Sequence, residues 1–354
     1  PKGICAIIVE QGRSMKALLS VLILLTTAIN GWAQIPNKIG AKPEELAAMA
    51  GRTLVVQLDP IDPAISASIL EAKKKDEAEG FKANYEASQQ SYLDNIQAAM
   101  KEGWVFNERV EFRTPEECKE LFLRKSPDHV VMKKEMYGGS EFGNSLSASW
   151  RHYAFPYGVT ALTFYRTDMV EVNNKGALRF EGTDFQMYMF GDYGPEGKAL
   201  FSVNDLVITL KQAQKALAWC IGVEKPEDYF AYAKEQAKQN CQQLPTKDLV
   251  MESNYTYKDT QESELLEVYG PRLRFASHEE LGTIYRSGSA TEVVFYSVPI
   301  GHVSGMGGES QIAYMKIAVD PSTDTIVSGS FPMAGGGVLR TYRSVDAKAL
   351  KKCK

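Results

Sequence analysis

The sequence lacks an excess of positive charge and lacks long apolar segments. Its 354 residues contain 40 Lys and Arg against 44 Asp and Glu, a formal net charge of -4, and no basic tract interrupts this balance. A nucleic-acid-binding protein needs a basic surface to meet phosphates, so a nucleic-acid partner is not expected. The longest apolar run, from Ala17 to Ile29, is shorter than the roughly 20 residues that a membrane-spanning helix requires.

Histidine and cysteine are also scarce, and the spacings that mark common sites are missing. The four histidines form no HExxH motif, the cysteines form no CxxC pair, and no P-loop or GxGxxG turn is present. Gly301 to Gly305 approaches the GxSxG nucleophile elbow, but its serine is displaced by one position. The sequence therefore predicts no metal site and no cofactor, and it favours a protein that is not an enzyme.

Two disulfides are possible in an exported protein, but Cys118 is expected to be a buried free thiol, and Cys220 and Cys241 are not expected to be bonded to each other. Cys118 lies opposite Leu281 in the alignment described below, which indicates an apolar core position. Cys220 and Cys241 each fall near the end of a predicted helix. In an antiparallel helix pair these ends lie too far apart for a disulfide, which needs Cα atoms within about 7 Å.

The segment from Met15 to Gln34 has the pattern of a secretory signal. A basic start at Lys16 precedes the apolar run, and small residues follow, with Gly31 and Ala33 at the positions that signal peptidase recognises. We expect cleavage after Ala33, so that residues 15–33 form the signal peptide. Residues 1–14 contain no methionine and are interpreted as an untranslated or non-native leader.

An internal duplication is the most informative feature of the chain. Residues 110–138 align without a gap to residues 273–301, with seven identities in 29 positions. Phe112 matches Phe275, and a Ser/Thr-x-x-Glu pair recurs at Thr114 and Ser277. This pair is typical of a helix N-terminus, where the Glu caps the backbone, so the recurrent glutamates are interpreted as caps rather than as acid–base catalysts.

The duplication predicts an α+β fold of two tandem repeats, each a mainly antiparallel or mixed sheet packed by helices. We place the first repeat in residues 34–200, a helical connector in 201–245 and the second repeat in 246–354. One long helix, from Ala64 to Glu102, elaborates the first repeat. The residues from Asp320 to Asp324 are expected to form a hairpin turn rather than a calcium loop, which would need more ligands.

A glycine-rich segment follows the last matched strand in both repeats. These segments are interpreted first as hairpin connections, since glycine tolerates positive φ. They could alternatively flank one groove, in which Tyr137, His302 and Ser304 are the candidate binding residues.

A signal ending in Trp32-Ala33-Gln34, together with the duplicated strand, capped helix and strand, resembles uncharacterised exported proteins of Bacteroidota. The resemblance implies a periplasmic or secreted location and no known activity. The expected function is a non-catalytic binding or structural module of the cell envelope, with a protein or envelope component as partner. The alternative is a secreted hydrolase with its site near residues 301–308. The sequence does not determine the oligomeric state.

Overall fold

The computed structural model describes residues 41–72, 75–137, 159–173, 178–180, 183–193, 199–224, 229–253, 262–304 and 310–330. The predicted signal peptide and leader, and the glycine-rich residues 138–158 and 305–309, lie outside this described part. Within it, helices and strands form two five-stranded sheets packed by helices, which confirms the predicted α+β class and the tandem arrangement.

Strands and helices alternate along the chain through the first three strands of the first sheet. The strands of this repeat are β1 (Thr53–Gln57), β2 (Val110–Arg113), β3 (His129–Tyr137), β4 (Val159–Arg166), β5 (Glu171–Val172), β6 (Leu178–Arg179), β7 (Phe185–Tyr188), β8 (Asp192–Tyr193) and β9 (Ala199–Leu200). The helices are α1 (Pro43–Met49), α2 (Pro63–Ala72), α3 (Lys75–Gly103) and α4 (Pro115–Leu123).

The elaboration of the first repeat consists of two helices, α2 and α3, where the sequence predicted one. Apolar residues at helical spacing form a stripe along α3, in which Tyr85, Tyr92, Ile96 and Met100 are buried and Phe81 is partly buried. Periodicity identified the buried face, but it does not report where one helix ends and the next begins.

The connector and the second repeat follow the same plan. The connector consists of α5 (Val203–Gly222), α6 (Tyr229–Asn240) and a 3₁₀ segment at Cys241–Thr246. The second repeat contains β10 (Asp248–Glu252), α7 (Glu262–Tyr269), β11 (Leu273–Ala276), α8 (His278–Ser287), β12 (Glu292–Ser304), β13 (Ser310–Asp320) and β14 (Thr325–Ser330).

The two sheets have the same strand order. The first is β2-β1-β3-β4-β7 and the second is β11-β10-β12-β13-β14, and in each the first three strands are parallel and the others antiparallel. Val56 pairs with Phe112 in the first sheet, and Met251 pairs with Phe275 in the second. The two matched phenylalanines therefore occupy the same register position, as a duplication requires.

Side-chain caps start the helices where the sequence predicted them. Thr114 accepts a hydrogen bond from the Glu117 N–H, and the Glu117 carboxylate accepts one from the Thr114 N–H. Ser277 accepts from the Glu280 N–H, whereas the Glu280 carboxylate pairs with Arg274. These bonds satisfy N–H groups that the first turn of a helix leaves without partners, which accounts for the recurrent glutamates in structural terms.

Helix α5 occupies the centre of the molecule. It is buried on nearly every side, with Leu206, Val207, Ile208, Leu210, Ala213 and Leu217 among its fully enclosed residues. Its polar residues Lys211, Gln214 and Lys215 keep a strip of partly or fully exposed surface, and most of the rest of the helix is enclosed. One continuous hydrophobic cluster accordingly joins α5 to a face of each sheet, so the two repeats share a core.

The repeats present opposite faces to this shared core. In the first, Val56 and Met132 face α3 and α5, while α4 covers the other face in a separate cluster with Val55. In the second, Val250 faces the shared core together with α8, while Met251 lies in a separate outer cluster. Helix α4 thus covers the outer face of the first sheet, whereas its counterpart α8 covers the face of the second sheet that packs on the shared core.

Two smaller predictions are also confirmed. Asp320 accepts hydrogen bonds from the Ser322 N–H and hydroxyl in the turn between β13 and β14. Cys118 is a buried reduced thiol, and Cys220 and Cys241 are not joined in a disulfide. No helix in the described ranges has the length and the apolar character needed to cross a membrane.

Candidate functional site at the carboxyl ends of the strands

The strand order creates one comparable edge in each repeat. In the first, β1 lies between β2 and β3, and the helices that connect them, α3 and α4, pack on opposite faces of the sheet. The second has the same relationship between β10 and its helices α7 and α8. In open α/β sheets, connections that leave to opposite faces open a crevice at the carboxyl ends of the central strands, where ligands bind. We call this place the switch point of each repeat.

The switch point of the second repeat carries a buried carboxylate and a histidine. Glu252 ends β10, and its side chain is 4% exposed. His278 is the first residue of α8, directly after the Ser277 cap, so that its ring lies beside the end of β10. Its Nδ1 atom lies 3.3 Å from the Oε2 atom of Glu252.

A second buried carboxylate, from the connector, holds the opposite side of the ring. The Nε2 atom of His278 lies 2.7 Å from the Oδ1 atom of Asp205, whose side chain is 2% exposed. The other oxygen of Asp205 accepts hydrogen bonds from the N–H and the hydroxyl of Ser202, which caps α5. Asp205 is therefore fixed by the helix cap, and it fixes the imidazole in turn.

Asp192, from the first repeat, completes the group. One ligand atom each from Asp192, Glu252 and His278 lies within 4.8 Å of the other two. We call these three residues the junction cluster, because they bring the two repeats together. Ligands of a single zinc ion lie roughly 3 to 3.5 Å apart, so small side-chain movements would bring these atoms to coordinating distance.

The charge of the cluster follows from its burial. Removal of the imidazole from water lowers the pKa of His278, but hydrogen bonds to Asp205 and Glu252, together with their negative charges, raise it to about 10. The ring is therefore a cation at neutral pH when no metal is bound. A metal ion coordinated by Nδ1 would displace one proton and supply positive charge in its place.

The switch point of the first repeat is built differently. Gln57 occupies the position of Glu252, and Lys134 on β3 occupies the position of Ser297 on β12, as the shared registers show. Helix α3, which has no counterpart of similar length in the second repeat, covers this edge. Gln57 donates a hydrogen bond of 2.6 Å to the Asp59 carboxylate.

Lys134 is the unusual residue at this edge, because it is a buried lysine without a close carboxylate among the described ion pairs. Its Nζ atom donates hydrogen bonds to the Ser88 carbonyl (3.2 Å) and to Oε1 of Gln89 (2.9 Å). It also lies 5.2 Å and 5.1 Å from the ring centroids of Tyr92 and Phe201. Burial lowers the pKa of Lys134 to about 7, and the charge of Asp59 opposes this only in part.

The residues predicted from the sequence lie elsewhere on the strands. Tyr137 ends β3, opposite Val159. His302 and Ser304 lie near the end of β12 in register with Ile312 and Ser310, past an irregularity between Pro299 and Gly301. The side chains of these three residues are outside the described part of the structure. The predicted binding role and the alternative hydrolase both remain predictions.

Sequence reasoning missed the residues of the junction cluster. His278 lies 26 positions from Glu252, and no known motif joins these residues to Asp192. Asp205, which orients His278, is 73 positions away, and the Ser202-x-x-Asp205 pattern indicates only a helix cap, a role that Asp205 does fill. A signal for Lys134 was available, because Val130, Met132 and Lys134 alternate along β3, which places the lysine on the apolar face.

Comparison of this chain with protein-family models, with curated proteins and with solved structures gave no match. The chemistry of the two switch points is therefore the basis for assigning a function.

Proposed function

We propose that the protein is an exported, non-catalytic binding module of the cell envelope, and that it binds a divalent cation at the junction cluster. The observation that carries the proposal is the convergence of Asp192, Glu252 and His278 within 4.8 Å. These residues come from both repeats, so a bound ion would also cross-link the repeats.

Asp205 supports the assignment because it contacts Nε2, the imidazole nitrogen that would not coordinate the metal ion. Histidine ligands of metals commonly donate their other N–H to a carboxylate, which fixes the tautomer and orients the ring. Asp205 makes this contact at 2.7 Å and is itself held by Ser202. Nδ1, which faces Glu252, is thereby the atom available to a metal.

The donor set indicates which ions fit. One imidazole nitrogen and two carboxylates suit zinc or manganese better than calcium, which prefers six or more oxygen ligands. With three protein ligands, a zinc ion would retain a position for water or for a group from a partner. A partner that offers a carboxylate or an imidazole could bind the protein through that position.

The test is titration of the mature chain, first freed of metal with a chelator, with ZnCl₂ and with MnCl₂ in a calorimeter. We expect one site per chain in the wild-type protein. Asp192→Asn is expected to weaken binding by about tenfold or more, since it removes a charged ligand while leaving the buried pair of Asp205 and His278 in place.

The matched control is His129→Gln, which removes a histidine whose Nδ1 bonds to Ser126 and not to the cluster. His129→Gln should bind metal as tightly as the wild type, whereas His278→Gln should not bind metal. If the wild type binds neither ion, or if His278→Gln binds as tightly as His129→Gln, the proposal is wrong.

Export is a separate part of the proposal and rests on the pattern of residues 15–34. Expression of the chain from Met15 in a Gram-negative host should yield a periplasmic protein that begins at Gln34. Mass spectrometry of the periplasmic fraction measures this directly. A species that retains residues 15–33, or that stays in the cytoplasm, would contradict export without affecting the test of metal binding.

A further inference from the structure

The switch point of the first repeat contains a buried amine that the cation-binding function does not use. We propose that Lys134 forms an imine with a small, uncharged aldehyde or ketone, which binds between β3 and the first half of α3. This inference does not rest on the junction cluster, because the two groups belong to different sheets.

The hydrogen-bond acceptors around Lys134 match a neutral amine. Its Nζ atom lies 5.2 Å and 5.1 Å from the ring centroids of Tyr92 and Phe201, and the residue is only 8% exposed. Two acceptors, the Ser88 carbonyl and Gln89 Oε1, each take one N–H. An uncharged amine has two N–H bonds, so these acceptors satisfy its donors and leave its lone pair available.

Two buried hydroxyl groups belong to residues that contact Lys134, and they point to a ligand. Among the residues that the structure describes, the Ser88 Oγ and Tyr92 OH atoms are buried and have no hydrogen-bond partner. A buried hydroxyl that has lost its contacts with water is destabilising when it is left unpaired, and a bound molecule that accepts from it removes this cost. A carbonyl oxygen that enters beside Lys134 would accept hydrogen bonds from these hydroxyls.

The electrostatics select an uncharged ligand. Because burial lowers the pKa of Lys134 to about 7, a large fraction of this amine is uncharged at neutral pH. Asp59 lies near enough to influence Lys134, and its carboxylate would repel an acidic ligand. An aldehyde or ketone without a carboxylate avoids this repulsion.

The reaction is balanced without an oxidant or a reductant. The lone pair of Nζ attacks the carbonyl carbon, the C–N bond forms, and the C=O π electrons move to oxygen, which takes one proton from Nζ. The resulting carbinolamine then loses water, because the C=N bond forms as the hydroxyl leaves and the second Nζ proton departs with it. Ser88 and Tyr92 can donate to the oxygen during both steps, and the products are an imine and one water molecule.

The test is reductive alkylation of the folded protein at neutral pH, with propanal as the probe and sodium cyanoborohydride to trap the imine. Lys133 is the internal reference, because it is the next residue on β3 but lies on the other face, over the ring of Phe180. Because a large fraction of the Lys134 amine is uncharged at neutral pH, we expect Lys134 to be alkylated faster than Lys133 by about tenfold or more.

Peptide mapping with fragmentation between residues 133 and 134 measures the two rates in one sample. Faster alkylation of Lys134 supports the proposal, and equal or slower alkylation overturns it. Lys134→Met should remove the fast phase, whereas Lys133→Met should retain it. The alkylation rates of Lys134 and Lys133 are compared within the wild-type chain, so this result does not depend on whether either variant folds.

Discussion

Val55 and Val250 occupy the same position in the two repeats but lie on opposite sides with respect to the shared core. Val55 belongs to an outer cluster beneath α4, whereas Val250 belongs to the central cluster around α5. Each is the third residue of the strand at the centre of the parallel trio. The repeats are therefore similar in fold and different in how they are used, which explains why their switch points carry different chemistry.

Helix α8 must approach α5 closely for His278 to meet Asp205, and Gly282 allows this approach. A Cβ atom at Gly282 would lie 2.6 Å from the Cβ atom of Asn204. We expect Gly282→Ala to destabilise the protein by about 1–3 kcal/mol and to weaken metal binding, because α8 must shift. Chemical denaturation and calorimetry measure the two effects.

Gly80→Ala is the matched control for this substitution. Gly80 lies within α3, and an added Cβ atom there meets nothing within 4 Å. It should stabilise the protein by about 0.5–1 kcal/mol, since alanine restricts the unfolded chain and favours the helix. Equal effects of the two substitutions would contradict the close approach of α8 and α5.

Removal of the His278 side chain should destabilise the protein, because it leaves two buried carboxylates without a cation between them. His278→Ala leaves Asp205 and Glu252 without the imidazolium between them, and breaking a buried pair in this way costs about 3–5 kcal/mol. Addition of Asp205→Asn should recover part of that loss, because one negative charge is removed. Urea denaturation of the single and double variants checks this, and additive losses would contradict it.

Lys134 should make stability depend on pH in a known direction. Its pKa is lowered from 10.5 to about 7 in the folded protein. Between these values the unfolded chain binds a proton that the folded protein does not, so stability rises with pH from about 7 to about 10.5. Below pH 7 both states are protonated, and the destabilisation is complete.

Lys134→Met isolates this contribution. Methionine fills a similar volume and packs well against aromatic rings. We expect the variant to be more stable than the wild type at pH 7 by a few kcal/mol, with the difference shrinking as pH approaches 10.5, since one pKa unit corresponds to about 1.4 kcal/mol. Denaturation at a series of pH values measures the difference, and a difference independent of pH would show that Lys134 keeps its proton.

The Cys118 thiol should be inert in the folded protein. Burial raises its pKa to about 12, and nearby Asp59 adds to the shift. The reactive form is the thiolate, so Cys118 should react with Ellman's reagent only after unfolding. Cys241 is partly exposed and should react first. Early labelling of Cys118, detected by mass spectrometry, would contradict its place on the buried face of α4.

The sequence was sufficient to predict the repeat and its local structure, because these depend on nearby residues. Thr114 and Ser277 signal helix starts from four consecutive positions, and Asp320 signals a turn in the same way. The junction cluster could not be predicted, because Asp192, Glu252 and His278 meet only through the packing of two sheets on α5. An alignment of the repeats does not show that the two sheets pack opposite faces against the shared core.

The inverted use of the two faces also limits how such modules can assemble. A contact between unlike faces has no two-fold axis, so separate modules joined in this way would form a ring or an open fibre rather than a two-fold dimer. Here α4 covers the outer face of the first sheet, and α7 packs with the outer cluster of the second. In the tandem chain both outer sheet faces are covered, so neither is open to a further module. Loss of α4 or α7 would expose an apolar sheet face to which another module could bind.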